Sequence, residues 1–304
     1  MLGLQYFSFD AIWSPIFLFV MVAIGIGYFY LAGPWRLKHA PEAPAVTAGQ
    51  KIWFVCGATL FYFAQGGPLD LLGHLLFSFH MTDMAISYLI VPPMLLLGIP
   101  EFMWRAAFGK PFWRRLNLLM HPILTLLLFN MLFSVYHMPQ IHDYVMVHFA
   151  VHRFYYGLLL VTSVMMWWQI VCPVKDWNRL TDLRKMAYVF ANGMLLSPAC
   201  ALIIFAGSPM YSTYNDPEAW AKAMGYCVAG DPSALLALFK GPSFFSLMSP
   251  LEDQQLGGII MKLVQEIMYG AILAYVFFHW FKREHRDSDD VLPEHGTTGT
   301  AGAN

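Results

Sequence analysis

The sequence predicts an all-α membrane protein, a polytopic bundle of seven transmembrane helices. Three observations carry this. Hydrophobic residues make up 58% of the chain and charged residues only 12%, whereas soluble domains carry about 25% charged residues. Apolar runs recur at the roughly 20-residue length that crosses a hydrocarbon core as a helix. Lys and Arg collect on one side of the path those runs trace.

In chain order the expected spans are Ile12–Leu31, Ile52–Gln65, Leu71–Leu97, Met120–Tyr136, Phe149–Val171, Met186–Ala206 and Leu256–Phe281. The second is short, with Gly and Pro at its end. Pro92 and Pro93 should kink or end the third, because proline removes a backbone donor and crowds the preceding turn.

Basic residues test that count independently. Arg36, Lys38 and Lys51 follow span one, and Arg105, Lys110, Arg114 and Arg115 follow span three. Lys175, Arg179, Arg184 and Lys185 follow span five, and Lys282, Arg283 and Arg286 follow span seven. These are 14 of the 18 Lys and Arg. Cytoplasmic loops collect such residues, so the expected topology has the N-terminus outside and the C-terminus in the cytoplasm. Trp35, Trp104, Trp113, Trp177 and Trp280 mark the same boundary as an aromatic belt. The N-terminus lacks the basic region of a signal peptide.

Two regions follow in the domain plan: residues 1–281 as the transmembrane domain, and 282–304 as a disordered cytoplasmic tail, acidic and Gly/Thr-rich. The outer loop 207–255 is long for a connection. Asp216-Pro217, Asp231-Pro232 and Ser249-Pro250 each pair a capping oxygen with a proline at the first helical position. Two short surface helices and the start of span seven are therefore expected there.

Composition also excludes functions. A net charge of −1 does not suit nucleic acid as a partner. The four Cys form no CxxC, which suggests neither a disulfide framework nor a thiolate zinc site. The sequence has no nucleophile-and-base arrangement or cofactor loop, so it does not read as an enzyme.

Of 11 His, six fall in the outer leaflet or outer loops: His74, His80, His137, His142, His148 and His152. Imidazole inside a bilayer is usually paired or functional. His80 and Met84 are four apart and share a helical face. His74 and Met81, seven apart, share another, and His148 and His152 are again four apart. Imidazole with thioether suits copper better than magnesium or calcium. The competing reading is packing, since Met fills gaps in apolar cores, and His142 and His148 read equally well as exposed loop residues. Three further ionisable groups lie within spans. Lys262 and Glu266 can pair along span seven and should face the bundle interior. Asp83 reads first as part of an interhelical polar cluster, and second as a carboxylate orienting His80.

The sequence also resembles the CtaG-type cytochrome c oxidase assembly factors of Gram-positive bacteria. The resemblance rests on FDAIWSPIF from Phe9, PLDLLGHLLFSFHM from Pro68 to Met81, VPPMLLLGIP from Val91, FSVYHMP from Phe133, MWWQIV from Met166 and EDQQLGG from Glu252. It implies a seven-helix protein of the bacterial cytoplasmic membrane that matures an oxidase whose subunit II bears a dinuclear copper centre outside the membrane. Oxidase subunits, and possible cooperation with other copper chaperones, follow as implied partners, with copper as the implied metal. Wider relatives read His-Met-x-x-His where this chain has His80-Met81-Thr82-Asp83-Met84, which turns a two-His reading into a His/Met one. They also tend to read Trp-His-x-Pro at Tyr136–Pro139.

Two alternatives stay open. One is a haem-handling protein with His80 and His152 as axial ligands. The other is a scaffold that binds oxidase subunits without metal.

Overall fold

The computed structural model describes residues 3–115, 118–225 and 232–291, and among them the chain is helical with no strand. Ser8 caps α1 (Phe9–Trp13), its Oγ accepting the Ala11 amide. Ser14 then takes a left-handed backbone (φ 35°), and Pro15 opens α2 (Pro15–Tyr30). Near its end Pro34 has no amide to give, and the helix widens into a π turn at Leu31–Trp35 before closing as α3 (Arg36–His39). This first span is loosely held. Its main anchor is Tyr28, whose ring stacks on Phe54 at 3.8 Å and whose hydroxyl donates to the Gly98 carbonyl at 3.0 Å.

Thr47 and Gln50 form a reciprocal capping box that starts α4 (Ala48–Gln65). After Gly66 and Gly67, α5 (Pro68–Leu75) continues the crossing. Here the structure redraws the expected boundaries. The run Leu71–Leu97 is not one helix: the chain turns at Leu76, in extended conformation, and α6 (Phe77–Ala85) begins anew. The cause is distant in sequence. The Asp253 carboxylate accepts the Phe77 amide at 2.7 Å and the Ser78 hydroxyl at 2.5 Å, supplying a cap that no neighbouring residue provides.

Beyond α6 a π turn, Ile86–Ile90, leads into α7 (Val91–Gly98), with Pro92 and Pro93 in its first turn. The prolines do not end the span. Pro92 cannot donate to Tyr88 four residues back, and the Tyr88 oxygen instead accepts Ser163 Oγ at 2.6 Å and Trp167 Nε1 at 3.0 Å. In a membrane a carbonyl freed by proline must be satisfied by neighbouring helices, and this is one reason for Ser and Trp at those positions.

Two short helices, α8 (Glu101–Phe108) and α9 (Pro111–Arg115), connect to α10 (Pro122–Tyr136). The segment expected to be a loop after α10 is instead helix α11 (Pro139–Met146), bent 80° from α10. Then come α12 (Phe149–Val171), α13 (Asp182–Ile204), α14 (Pro217–Met224), α15 (Pro232–Phe239) and α16 (Pro250–Val291). Among the described residues six helical stretches are long and apolar enough to cross a membrane, and α10 with α11 makes a seventh if the bent pair is one span. The two surface helices expected between spans six and seven are present as α14 and α15. Asp216 caps the first, accepting the Ala219 amide at 2.8 Å, and Ser249 with Glu252 caps α16. Asp231, expected to cap α15, lies outside the described residues. The last helix runs to Val291, ten residues past the expected end of span seven, so residues 282–291 are helical rather than disordered; 292–304 lie outside the described residues.

Packing places α16 against α13 and α6, α4 against α7, and α10 against α12. The main core holds Trp167, Phe129, Phe133, Tyr136 and Leu159. A separate apolar cluster of Phe7, Leu71, Trp220, Met224, Phe239 and Phe245 covers one end. At the other end the basic segments meet. Arg105 pairs with Asp176 at 2.5 Å, Arg283 with Asp182 at 2.6 Å, and Trp35 stacks with Phe102.

Candidate functional site: a buried histidine cluster

Helices α5, α6, α11 and α12, with the α10–α11 bend, bring five histidines together at the end away from the basic segments. His74 sits on α5, His80 on α6, His137 at the bend, His142 on α11 and His152 on α12. All are buried, none more than 6% exposed. The ring centroids of His80 and His142 are 5.2 Å apart, those of His80 and His137 6.1 Å, and those of His74 and His152 5.4 Å. Gly73 permits the approach of α5 to α6, because a Cβ there would lie 3.3 Å from the His80 Cα.

The walls are aromatic. Tyr136 lies 5.7 Å from His80 and 5.3 Å from His142, Tyr211 4.6 Å from His142, and Tyr156 4.2 Å from His152. A strap of residues 210–214 packs over the cluster. Asp143 holds it by accepting the Ser212 amide at 2.9 Å, the Thr213 amide at 3.2 Å and the Thr213 hydroxyl at 3.0 Å. Tyr211 donates to the His137 carbonyl and Tyr214 to the Gly73 carbonyl. Burial, with Asp143 adding to it, pushes both phenols above the usual tyrosine range, so both remain donors.

Several ring nitrogens here are buried without a hydrogen-bond partner: Nε2 of His80, His137 and His152, and both nitrogens of His142. Buried polar atoms are normally satisfied. His137 is informative. Its Nδ1 faces the Phe133 carbonyl at 2.8 Å, so the proton sits there and Nε2 keeps a buried lone pair without a partner. Ligating histidines are commonly arranged this way, with the second nitrogen donating to a carbonyl. Among the described residues, however, no group of three or more His, Cys, Asp or Glu has the geometry of a metal site. Imidazole nitrogens suit copper, zinc, iron or nickel in type, and the cluster falls short of a preformed three-ligand centre.

The remaining candidates separate. Met84 is one turn from His80 on α6 and fully buried, whereas Met81 packs against α16, where a Cβ at Gly257 would touch it. The expected face shared by His74 and Met81 does not exist, because the two lie on different helices. His148 stands at the N-cap position of α12 without a side-chain capping bond and stacks on Tyr144 at 4.1 Å, outside the cluster. His142, which read as an exposed loop residue, is fully buried at the centre. Asp83 accepts from Gln65 Nε2 at 3.0 Å and from Ser87 Oγ at 3.0 Å, forming an interhelical polar cluster rather than a bond to His80. Lys262 and Glu266 do pair, at 2.6 Å, and Lys262 also donates to Ser197, but the Glu266 side chain is 62% exposed and does not face the interior. For the haem alternative, Tyr156 lies between the two named ligands, its ring packed on His152 and its hydroxyl 3.4 Å from His80 Nδ1.

Sequence reasoning missed the tyrosines and Met146, whose sulfur lies 3.6 Å from the Tyr136 hydroxyl. The EDQQLGG segment also gains an explanation. Asp253 caps α6, Gln254 accepts the Met210 amide and Gln255 donates to the Ala206 carbonyl. Gly257 and Gly258 let α6 and α13 approach α16.

No solved structure matches the chain. Over 119 residues, 38% of its length, the chain is 24% identical to the lipoprotein signal peptidase of Tolumonas auensis (strain DSM 9187 / NBRC 110442 / TA 4), covering 71% of that protein. The model of the cytochrome c oxidase caa3 assembly factor family (Caa3_CtaG) matches residues 28–283, which takes in every helix of the histidine cluster, and this chain belongs to that family.

Proposed function

We propose that this protein works at the outer face of the bacterial cytoplasmic membrane and supports maturation of the dinuclear copper centre on subunit II of the oxidase. Copper is handled there as cargo, not as a resident cofactor. The observation that carries the reading is the convergence of five buried histidines, four with unpartnered nitrogens, at the end away from the basic segments. Lys and Arg mark the cytoplasmic side, so the cluster faces the compartment where that copper centre is loaded. Oxidase subunits are the expected partners, alone or alongside another copper chaperone.

Deleting the protein should abolish the oxidase that carries an extracytoplasmic dinuclear copper centre and spare a quinol oxidase lacking it. His80→Ala should lose maturation while the protein still accumulates in the membrane. Excess external copper should partly restore it by mass action. If copper never restores activity and the purified protein binds none, the metal reading fails. The protein is then a subunit-binding scaffold, with the histidines as buried polar anchors.

A further inference from the structure

Glu266 is out of place for a membrane-spanning helix. On α16 it lies about 20 Å beyond Asp253 and about 24 Å before Lys282 at the helical rise per residue, which puts it near the middle of the bilayer. Its side chain is exposed. Ionisable groups at such depth are costly and almost always face the bundle interior or a paired group. Lys262 pairs with Glu266 Oε1 at 2.6 Å and is itself fixed by the Ser197 hydroxyl. The pair cancels charge, yet the carboxylate remains on the exposed side. The headgroup region is about 15 Å away, beyond the reach of a glutamate stem.

The surface around it suits a helix. α13 and α16 run antiparallel, with Gly193 beside Gln265, Ser197 beside Lys262 and Ala206 beside Gln255. On antiparallel helices, positions one step past the contacts turn toward a common side. That side holds Pro198 and Ala201 on α13 with Leu263 and Glu266 on α16. Pro198 and Ala201, with Leu202 and Phe205, also line a hollow that starts one position from Ser197. Small residues let membrane helices approach closely, and polar side chains then bond across the contact.

Charge decides what covers this face. Acyl chains offer nothing to a carboxylate. Two copies of the chain share one sidedness and are related by an axis along the membrane normal. Each residue then meets its counterpart at the same depth, and Glu266 would lie nearest the other Glu266. We propose that the face carrying Pro198, Ala201, Leu263 and Glu266 docks a membrane-spanning helix of a partner polypeptide, which donates a hydrogen bond to the Glu266 carboxylate from a polar side chain at mid-bilayer. The identity of that partner as an oxidase subunit rests on the function proposed above.

The test places a photoreactive phenylalanine analogue at Leu202 or Leu263 of the full chain, in cells that make the oxidase subunits. Crosslinks to the membrane-spanning segment of an oxidase subunit are expected. Mass spectrometry of the linked peptides should show a donor side chain at the depth of Glu266. Per unit of membrane-inserted protein, the crosslink should fall about five- to thirtyfold in Glu266→Leu, as for one interhelical polar contact. Replacing the subunit's donor by Leu should reduce it equally. Ala201→Trp fills the hollow without touching the charge and should also abolish the crosslink, which keeps the test decisive should Glu266→Leu fail to accumulate. Adducts with lipid alone, adducts between two copies of this chain, or crosslinks indifferent to Glu266 overturn the docking face and leave the copper reading standing. A Glu266-dependent crosslink to a span of some other sequenced protein keeps the docking face and removes the oxidase subunit as its occupant.

Discussion

The Asp253 carboxylate accepts the Ser78 hydroxyl at 2.5 Å across 175 positions of sequence, joining the head of α16 to the first turn of the helix that carries His80. The same carboxylate accepts the Phe77 amide and is buried. Replacing it by Asn removes the charge: the amide oxygen can still accept the Phe77 amide, but the Ser78 hydroxyl must reverse and accept from the new NH2. Asp253→Asn should cost about 2–3 kcal/mol, the range for charge-assisted bonds lost from a buried site. Thermal unfolding of the purified protein measures this. An unchanged midpoint would show that α6 starts at Phe77 without the cap.

How much of this was legible beforehand depends on range. Spans five and six were readable because apolar length and flanking charge are local. Phe149–Val171 emerged with the expected bounds. The break at Leu76 was not readable, because an apolar run looks the same whether or not a distant carboxylate caps its middle. The prolines of α7 read as a kink or an end, yet the carbonyl that Pro92 frees is taken up by Ser163 and Trp167 on another helix. His142 was misjudged for a related reason. Its neighbours Gln140 and Asp143 look like a loop, and only the 80° bend after α10 turns its ring inward. The tyrosine walls carried no signal at all, since aromatic residues are common in any membrane bundle.

His142 and His148 now make opposite predictions. His142 is buried among Tyr136, Tyr211 and Tyr214, whereas His148 is only partly buried and bonded to the Tyr144 carbonyl. Oxidase activity per unit of membrane-inserted protein should fall by about tenfold or more in His142→Ala, equivalent to about 1.4 kcal/mol. In His148→Ala it should stay within about twofold of wild type, as for a surface change. Equal losses would remove His142 from the site.

Lys262 and Glu266 should behave unequally. Losing Glu266 leaves Lys262 its bond to Ser197 at 2.6 Å. Losing Lys262 leaves an exposed carboxylate far along a spanning helix without a cation, and charge at that depth costs about 2.5–3.5 kcal/mol. Lys262→Leu should therefore lower the amount of folded protein in the membrane more than Glu266→Leu, and the double change should recover most of the loss. Immunoblotting of solubilised, monodisperse protein reads this out. Equal effects of the two single changes would show that the Ser197 bond contributes nothing.

Sidedness decides whether the histidine cluster meets the compartment proposed for it. Gln140 on α11 and Asn215 beside the strap are exposed at the histidine end, and Trp113 and Asn178 are exposed at the basic end. Cys56 is exposed and Cys172 partly so, so the native cysteines must first be replaced. Single cysteines at 140 and 215 should then react with a membrane-impermeant thiol reagent in intact cells, while those at 113 and 178 should react only after permeabilisation. The expectation rests on the positive-inside rule, and on the two ion pairs, Arg105 with Asp176 and Arg283 with Asp182, that gather the basic segments on one side. Reversed labelling would put the histidines in the cytoplasm, where the copper centre of subunit II is not loaded, and the proposed function would have to be abandoned whatever metal the protein binds.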